Sequence, residues 1–452
     1  MPARLAAGRL EGLSVALLVA GSLLVPVVWL AVPHARRPWL YRARWPVVAL
    51  VVALQLHLFR HASIENPGAA YVVGVMLPCA ALTTANLVLW RRPQAEAARA
   101  VSRPTPTGRV WVWQTFPADE SFAARLCWAS DLFVSIRGGG WNWAISSIPR
   151  PRAPAHVKSG GRIDLSSIPL ETACGCKRPL TARGFLRERL TKILATYLLL
   201  DLVTVWHQKD PYYLRGPDYI SSQQLPEHLR HVPAWCLLLY RETLSLAGIV
   251  SAFTLYSSLT DLVSFWLLKH LAPARVGVWQ HASLFGSFSC VLDRGLSGWW
   301  GGWWHQILRI AFLAPTRHLS RQGYLANGSR RFKAVALLTA FALSGLVHAA
   351  GSIMTAAPTK PWRPLVFFLA QAGGIIVQRG LSRAAKTAWP RPPRALARAA
   401  NLVFTAAFMY ATGPYILDDL ASTGIFGLET LPVSPMRALG FGRPGDHWWR
   451  VK

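Results

Sequence analysis

Two histidines stand on apolar, aromatic-rich stretches of this 452-residue chain. His305 lies in G-W-W-G-G-W-W-H-Q-I-L-R (298–309), and His348 in A-V-A-L-L-T-A-F-A-L-S-G-L-V-H-A-A-G (334–351). An ionisable side chain inside a membrane-spanning segment is costly, and by default it marks function. Burial disfavours the imidazolium, so a buried histidine stays neutral and serves as a base near pH 7. Such a base takes the proton of a hydroxyl as that oxygen attacks a thioester, while a second polar group holds the hydroxyl or stabilises the oxyanion. The chain carries no G-x-S-x-G signature, so direct transfer is favoured over an acyl-enzyme.

The elements that must position these histidines are membrane helices. The chain is 52% hydrophobic, and its apolar residues fall in long blocks at 12–32, 46–58, 69–90, 190–206, 234–256, 276–292, 307–314, 334–354, 364–377 and 401–417. Crossing a hydrocarbon core takes about 20 residues. The blocks at 46–58, 276–292, 307–314 and 364–377 are short or broken. The expected fold is therefore an all-α polytopic membrane protein with roughly eight to ten transmembrane or re-entrant helices. The first block is longer than a signal-peptide core and is expected as a retained span. Three units are expected: N-terminal transmembrane helices at 1–90, a cytosolic connector at 91–189 and a catalytic transmembrane core at 190–452.

Forty-nine Lys+Arg against 20 Asp+Glu give a net charge of +29. In a polytopic chain this marks loops retained on the cytosolic side, near anionic lipid, rather than nucleic-acid binding. It places 91–189, 317–333 and 379–398 in the cytosol. On that topology the acceptor Asn327-Gly328-Ser329 stays unmodified. Of six cysteines only Cys174 and Cys176 are close, and no further ligands stand near enough for a zinc site. The cysteines read as small apolar residues. The pair Asp418-Asp419 stands alone, which argues against a Mg²⁺-diphosphate site of a prenyltransferase. The repeated halves expected of a transporter, the non-enzyme alternative, are not visible either.

On a helix, Ser344, His348 and Ser352 line one face, with Thr355 close by. Gly345, Ala349 and Ala350 leave room for a neighbouring helix or a substrate. Around His305, Trp299, Trp300, Trp303 and Trp304 form an indole-rich wall. A continuous helix there would put Gly301, His305 and Arg309 on one face.

The two histidine stretches together resemble the paired signature of the wax-synthase-like branch of the membrane-bound O-acyltransferases. R-G-G-G-W-N-W (137–143) and A-T-G-P-Y-I-L-D-D (411–419) are similar to its upstream and C-terminal elements. The resemblance implies a helical bundle enclosing a reaction chamber. His348 would be the catalytic base and His305 the second catalytic residue. Gly302 and Trp300 depart from the branch's usual arginine and phenylalanine, which touches acyl or acceptor preference more than activity. Membership of these elements makes Arg137, Trp141, Asn142, Trp304, Gln306, Arg309 and Ser344 candidate substrate or CoA contacts, with Arg137 and Arg309 on the CoA side. No cofactor or metal is expected. Acetyl-CoA (acyl-CoA) is the implied co-substrate, and the partners are an apolar hydroxylated small molecule and membrane lipid. Like fungal secondary-metabolite acetyltransferases, the chain is expected to acetylate a terpenoid or meroterpenoid hydroxyl in the endoplasmic reticulum. Long-chain wax-ester or sterol acylation is the nearest enzymatic alternative.

Overall fold

The computed structural model describes residues 10–449 apart from 35–36, 107, 155, 220–224, 356, 430 and 444. Among the described residues, seven helices are long and apolar enough to cross a membrane. Three come first: α1 (Leu13–Ala31), α2 (Arg44–His61) with a short turn before it, and α3 (Pro67–Thr84), which runs on as a π turn to Trp90. Asn66 caps α3 by accepting from Ala69 N, and Pro67 occupies its first turn, where a missing N–H costs nothing.

The connector folds against the bundle instead of standing apart. A hairpin pairs β1 (Arg99–Thr105) with β2 (Gly108–Gln114) in register Arg99↔Gln114. Helix α4 (Phe122–Val134) buries Trp128 and Leu132 against Trp29 and Leu30 of α1. Trp113 and Trp279 close the hairpin side with Ile163 and Ile168.

Two long helices follow, α5 (Ala182–Lys209) and α6 (Ala234–Leu271), packed along each other. The block at 276–292 forms no span: it is broken into a 3-10 turn (Val278–Gln280) and a six-residue helix (Ser289–Arg294). The block at 307–314 belongs to the 13-residue α7 (Arg309–Arg321). Then come α8 (Arg330–Met354), α9 (Trp362–Ala388) and α10 (Arg394–Thr423). Ser329, read as part of a glycosylation acceptor, caps α8 by accepting from Phe332 N. The block at 364–377 is thus one stretch of an unbroken 27-residue helix. The expected polytopic helical fold stands, with the broken segment 276–308 lying between α6 and α7.

Candidate functional site

His305 sits where the chain leaves helical geometry. Trp299–Trp303 is a π turn, Trp304 is extended at φ −65° and ψ 145°, and regular helix resumes only at Arg309. Gly301, His305 and Arg309 therefore share no helical face, contrary to the periodicity argument. Successive glycines weaken helix here, and close packing decides the path. An added Cβ at Gly302 would lie 2.5 Å from Arg294 Nη2 and 2.9 Å from Cys290 Cβ. Gln306 fastens the bend: its Nε2 donates to the carbonyls of Trp300 and Trp304 at 2.7 Å each, while its Oε1 accepts from Arg309 Nη1 at 3.1 Å.

The result is an imidazole held by rings. Phe253 of α6 lies 4.7 Å from His305 between centroids, Trp304 at 5.1 Å and Phe285 at 6.3 Å. His305 Nδ1 is buried and has no hydrogen-bond partner within the protein. A buried polar atom left open costs roughly 1–3 kcal/mol unless something pairs with it.

His348 lies on α8 toward its C-terminal end, between Ser344 and Ser352 as the periodicity predicts. Its Nδ1 is 2.8 Å from Tyr71 Oη of α3, and its ring stacks on Phe368 of α9 at 5.0 Å and 21°. Trp304 packs on Trp300 at 6.0 Å, and Trp300 on Phe368 at 5.7 Å. A continuous line of aromatic contacts thus joins the two histidines. They are near enough to interact electrostatically, and Arg137 is also within that reach of His305.

Of the polar stripe on α8, Ser352 donates to Asp419 Oδ1 at 3.0 Å. Thr355 Oγ1 turns back to the Ser352 carbonyl at 2.8 Å. Ser344 is half-buried on the same helix. Trp300 Nε1 donates to Gln371 Oε1 at 3.2 Å, a bond that phenylalanine at this position would lack.

The side chains of the R-G-G-G-W-N-W element bind within the protein, Arg137 and Asn142 to its backbone. Arg137 donates to the carbonyls of Ser283 and Ala282 at 2.8 and 2.9 Å, fixing the segment that leads to Phe285. Trp141 is buried and its Nε1 donates to Ser135 Oγ at 3.0 Å. Asn142 accepts from Ala98 N and donates to the Glu96 carbonyl, at 3.1 and 2.9 Å. Beside this element Asp131 bridges Arg99 and Arg275 at 3.0 and 2.7 Å. Burial alone would raise its carboxyl, but the two guanidiniums, Arg275 foremost, hold it below the usual carboxylate range.

Arginines gather along α7. Arg317 feels the charges of Arg309, Arg91, Arg321 and Arg150. Next to them a cleft of about 350 Å³ is lined by Arg44, Arg91, Arg92, Trp90, His318 and Gln322, with Glu96 paired to Arg91 at 3.5 Å. Sequence reasoning missed Tyr71 and Phe368 as neighbours of His348, and Asp419 as the partner of Ser352, because nothing in their local stretches marks them.

Fold and site together define an integral, polytopic helical membrane protein with a pair of histidines set among aromatic rings. Residues 279–370, which include both histidines, match the Membrane bound O-acyl transferase family. Acetyltransferase ple2 of Rhodocybe pseudopiperita is 27% identical over 263 residues, which is 57% of this chain and 56% of that protein. O-Mevalon transferase yanI of Aspergillus niger is 27% identical over 271 residues, 56% of this chain and 52% of its own length. O-Mevalon transferase macI of Penicillium terrestre is 24% identical over 343 residues, 72% and 66% of the two chains. The chain spans a little over half the length of the first two relatives. No solved structure matches it. The resemblance read from the motifs is borne out at the level of the family: the segment holding both histidines matches the Membrane bound O-acyl transferase model.

Proposed function

We propose that the chain is an acyl-CoA-dependent O-acyltransferase that moves an acetyl group from acetyl-CoA to a hydroxyl of a terpenoid or meroterpenoid in the endoplasmic reticulum membrane. The observation that carries this reading is the open Nδ1 of His305, set among rings that lead through Trp304, Trp300 and Phe368 to a hydrogen-bonded His348.

In the reaction, His348 takes the proton of the acceptor hydroxyl as its oxygen attacks the thioester carbonyl. The developing oxyanion receives a hydrogen bond from His305 Nδ1–H. On collapse the C–S bond breaks, and the CoA thiolate leaves with the proton held by His348. Both imidazoles return to their starting state, and no acyl-enzyme forms.

The arginines of α7 and the adjoining cleft suit the phosphates of CoA, since guanidiniums bind phosphate with paired, charge-assisted hydrogen bonds. The apolar acceptor would come from the lipid side, past Trp303 and Trp304. Arg309 keeps its place on the donor side, whereas Arg137, Trp141 and Asn142 act by holding the chain that carries the site. The relatives' names, an acetyltransferase and two O-mevalon transferases, support a small acyl group.

The test is incubation of membranes containing the protein with labelled acetyl-CoA or palmitoyl-CoA and a panel of terpenoid alcohols. Label in an acetyl ester is the expected result. Palmitoyl transfer alone would replace the donor, and absence of any ester would reject the activity.

A further inference from the structure

We propose that Tyr71 positions the His348 imidazole and sets which of its nitrogens carries hydrogen. The proposal rests on the reading of His348 as the base and adds a residue from the opposite end of the chain to the site. Tyr71 is 6% exposed and lies on α3 against α8. Small residues bring the two helices together: an added Cβ at Gly351 would lie 2.9 Å from Tyr71 Cε2, and one at Gly74 would lie 2.7 Å from Met354 Cβ. With the ring so placed, Tyr71 Oη meets His348 Nδ1 at 2.8 Å. Phe368, stacked on the other side, fixes the plane of the imidazole.

A histidine acting as base through Nε2 must carry its hydrogen on Nδ1. The Nδ1–H then donates to Tyr71 Oη. With Nδ1 engaged inside the protein, Nε2 is the nitrogen left for the acceptor hydroxyl. Behind the phenol stands Asp419, fully buried and close enough for its charge to act on Tyr71. Its Oδ1 accepts from Ser352 Oγ and Lys360 N, both at 3.0 Å, and its Oδ2 is buried without a partner. The charge of Asp419 is felt at Tyr71 and no hydrogen bond joins it to the imidazole, so its effect on transfer passes through the phenol.

The test uses the full chain in lipid nanodiscs. Tyr71→Phe keeps the ring and its packing but removes the acceptor oxygen. It is expected to lower kcat by at least about tenfold with the KM of both substrates unchanged. In ¹⁵N-histidine NMR, the His348 signals, identified by their loss in His348→Ala, should show the Nδ1–H form in the parent protein and lose it in Tyr71→Phe. Asp419→Asn, of the same shape, should lower kcat while the tautomer persists. An unchanged kcat in Tyr71→Phe, or an unchanged tautomer, overturns the proposal while leaving the base role of His348 intact. Near-parent turnover by His348→Ala removes the base reading itself, and the positioning role with it.

Discussion

The Arg294 guanidinium fills the space that a side chain at Gly302 would need, its Nη2 standing 2.5 Å from where a Cβ would fall. The branch that the motifs resemble is expected to carry an arginine at this point. Here the neighbouring short helix brings a guanidinium up against position 302 from another direction. Gly302→Ala should therefore push on both Arg294 and Cys290, and overpacking of this kind costs roughly 1–3 kcal/mol. A lower melting temperature in detergent checks this. Arg294→Ala combined with Gly302→Arg should retain more turnover than Gly302→Arg alone.

His348→Ala is expected to lower turnover by roughly 10²–10⁴, the usual worth of a general base, with the protein still inserted. Turnover of the purified variant, with its elution from a sizing column, separates lost chemistry from lost folding.

For His305 the expected loss falls on kcat more than on substrate binding, because an oxyanion donor acts in the transition state. His305→Phe keeps the ring contacts with Phe253 and Trp304 and should reduce kcat by on the order of 10². Steady-state kinetics with both substrates varied would show it. A change confined to the acceptor KM would give His305 a binding role instead.

Donor and acceptor entrances separate in a fourth measurement. Neutralising Arg309 or Arg317 to Gln should raise the KM for acyl-CoA several-fold and leave that of the acceptor unchanged. Added salt should weaken the parent protein's hold on acyl-CoA more than the variants', since exposed charges are screened.

Stability should respond to acid through Asp131. Its folded carboxyl is held below the ordinary value of 3.8, so the stability from its pairing with Arg275 and Arg99 is fully present from about pH 5 upward. The contribution falls away as pH drops from about 5 through the lowered folded value. Melting temperature followed from pH 6 to pH 2 should decline more steeply in the parent protein than in Asp131→Asn, with the difference opening below about pH 5.

What the sequence revealed of the site follows from contrast. An imidazole amid Leu, Phe and Val stands out, and its helical spacing from Ser352 is real, so His348 and its stripe were readable. Tyr71 was not, since a tyrosine is ordinary in an apolar helix and its partner lies 277 positions away. Arg137, Trp141 and Asn142 were recognised as an element, but their backbone partners at Ser283, Ala282, Ala98 and Glu96 depend on tertiary folding. The helical face expected for Gly301, His305 and Arg309 failed because glycine packing at 302 breaks the helix locally. Long helices were legible from composition, while the broken segment 276–308 could be marked only as broken.

The Tyr71–His348 contact also puts a clock on assembly. The two residues are 277 positions apart, and synthesis at about 5–20 residues per second separates their emergence by roughly 15–55 s. During that interval α3 resides in the bilayer with its tyrosine hydroxyl unmatched and its Gly74 face uncovered. The N-terminal helices must therefore wait, already inserted, for α8 to arrive and seal them. Agents that prolong the wait, such as slow codons before position 330, should raise the fraction of chains degraded before the site ever closes.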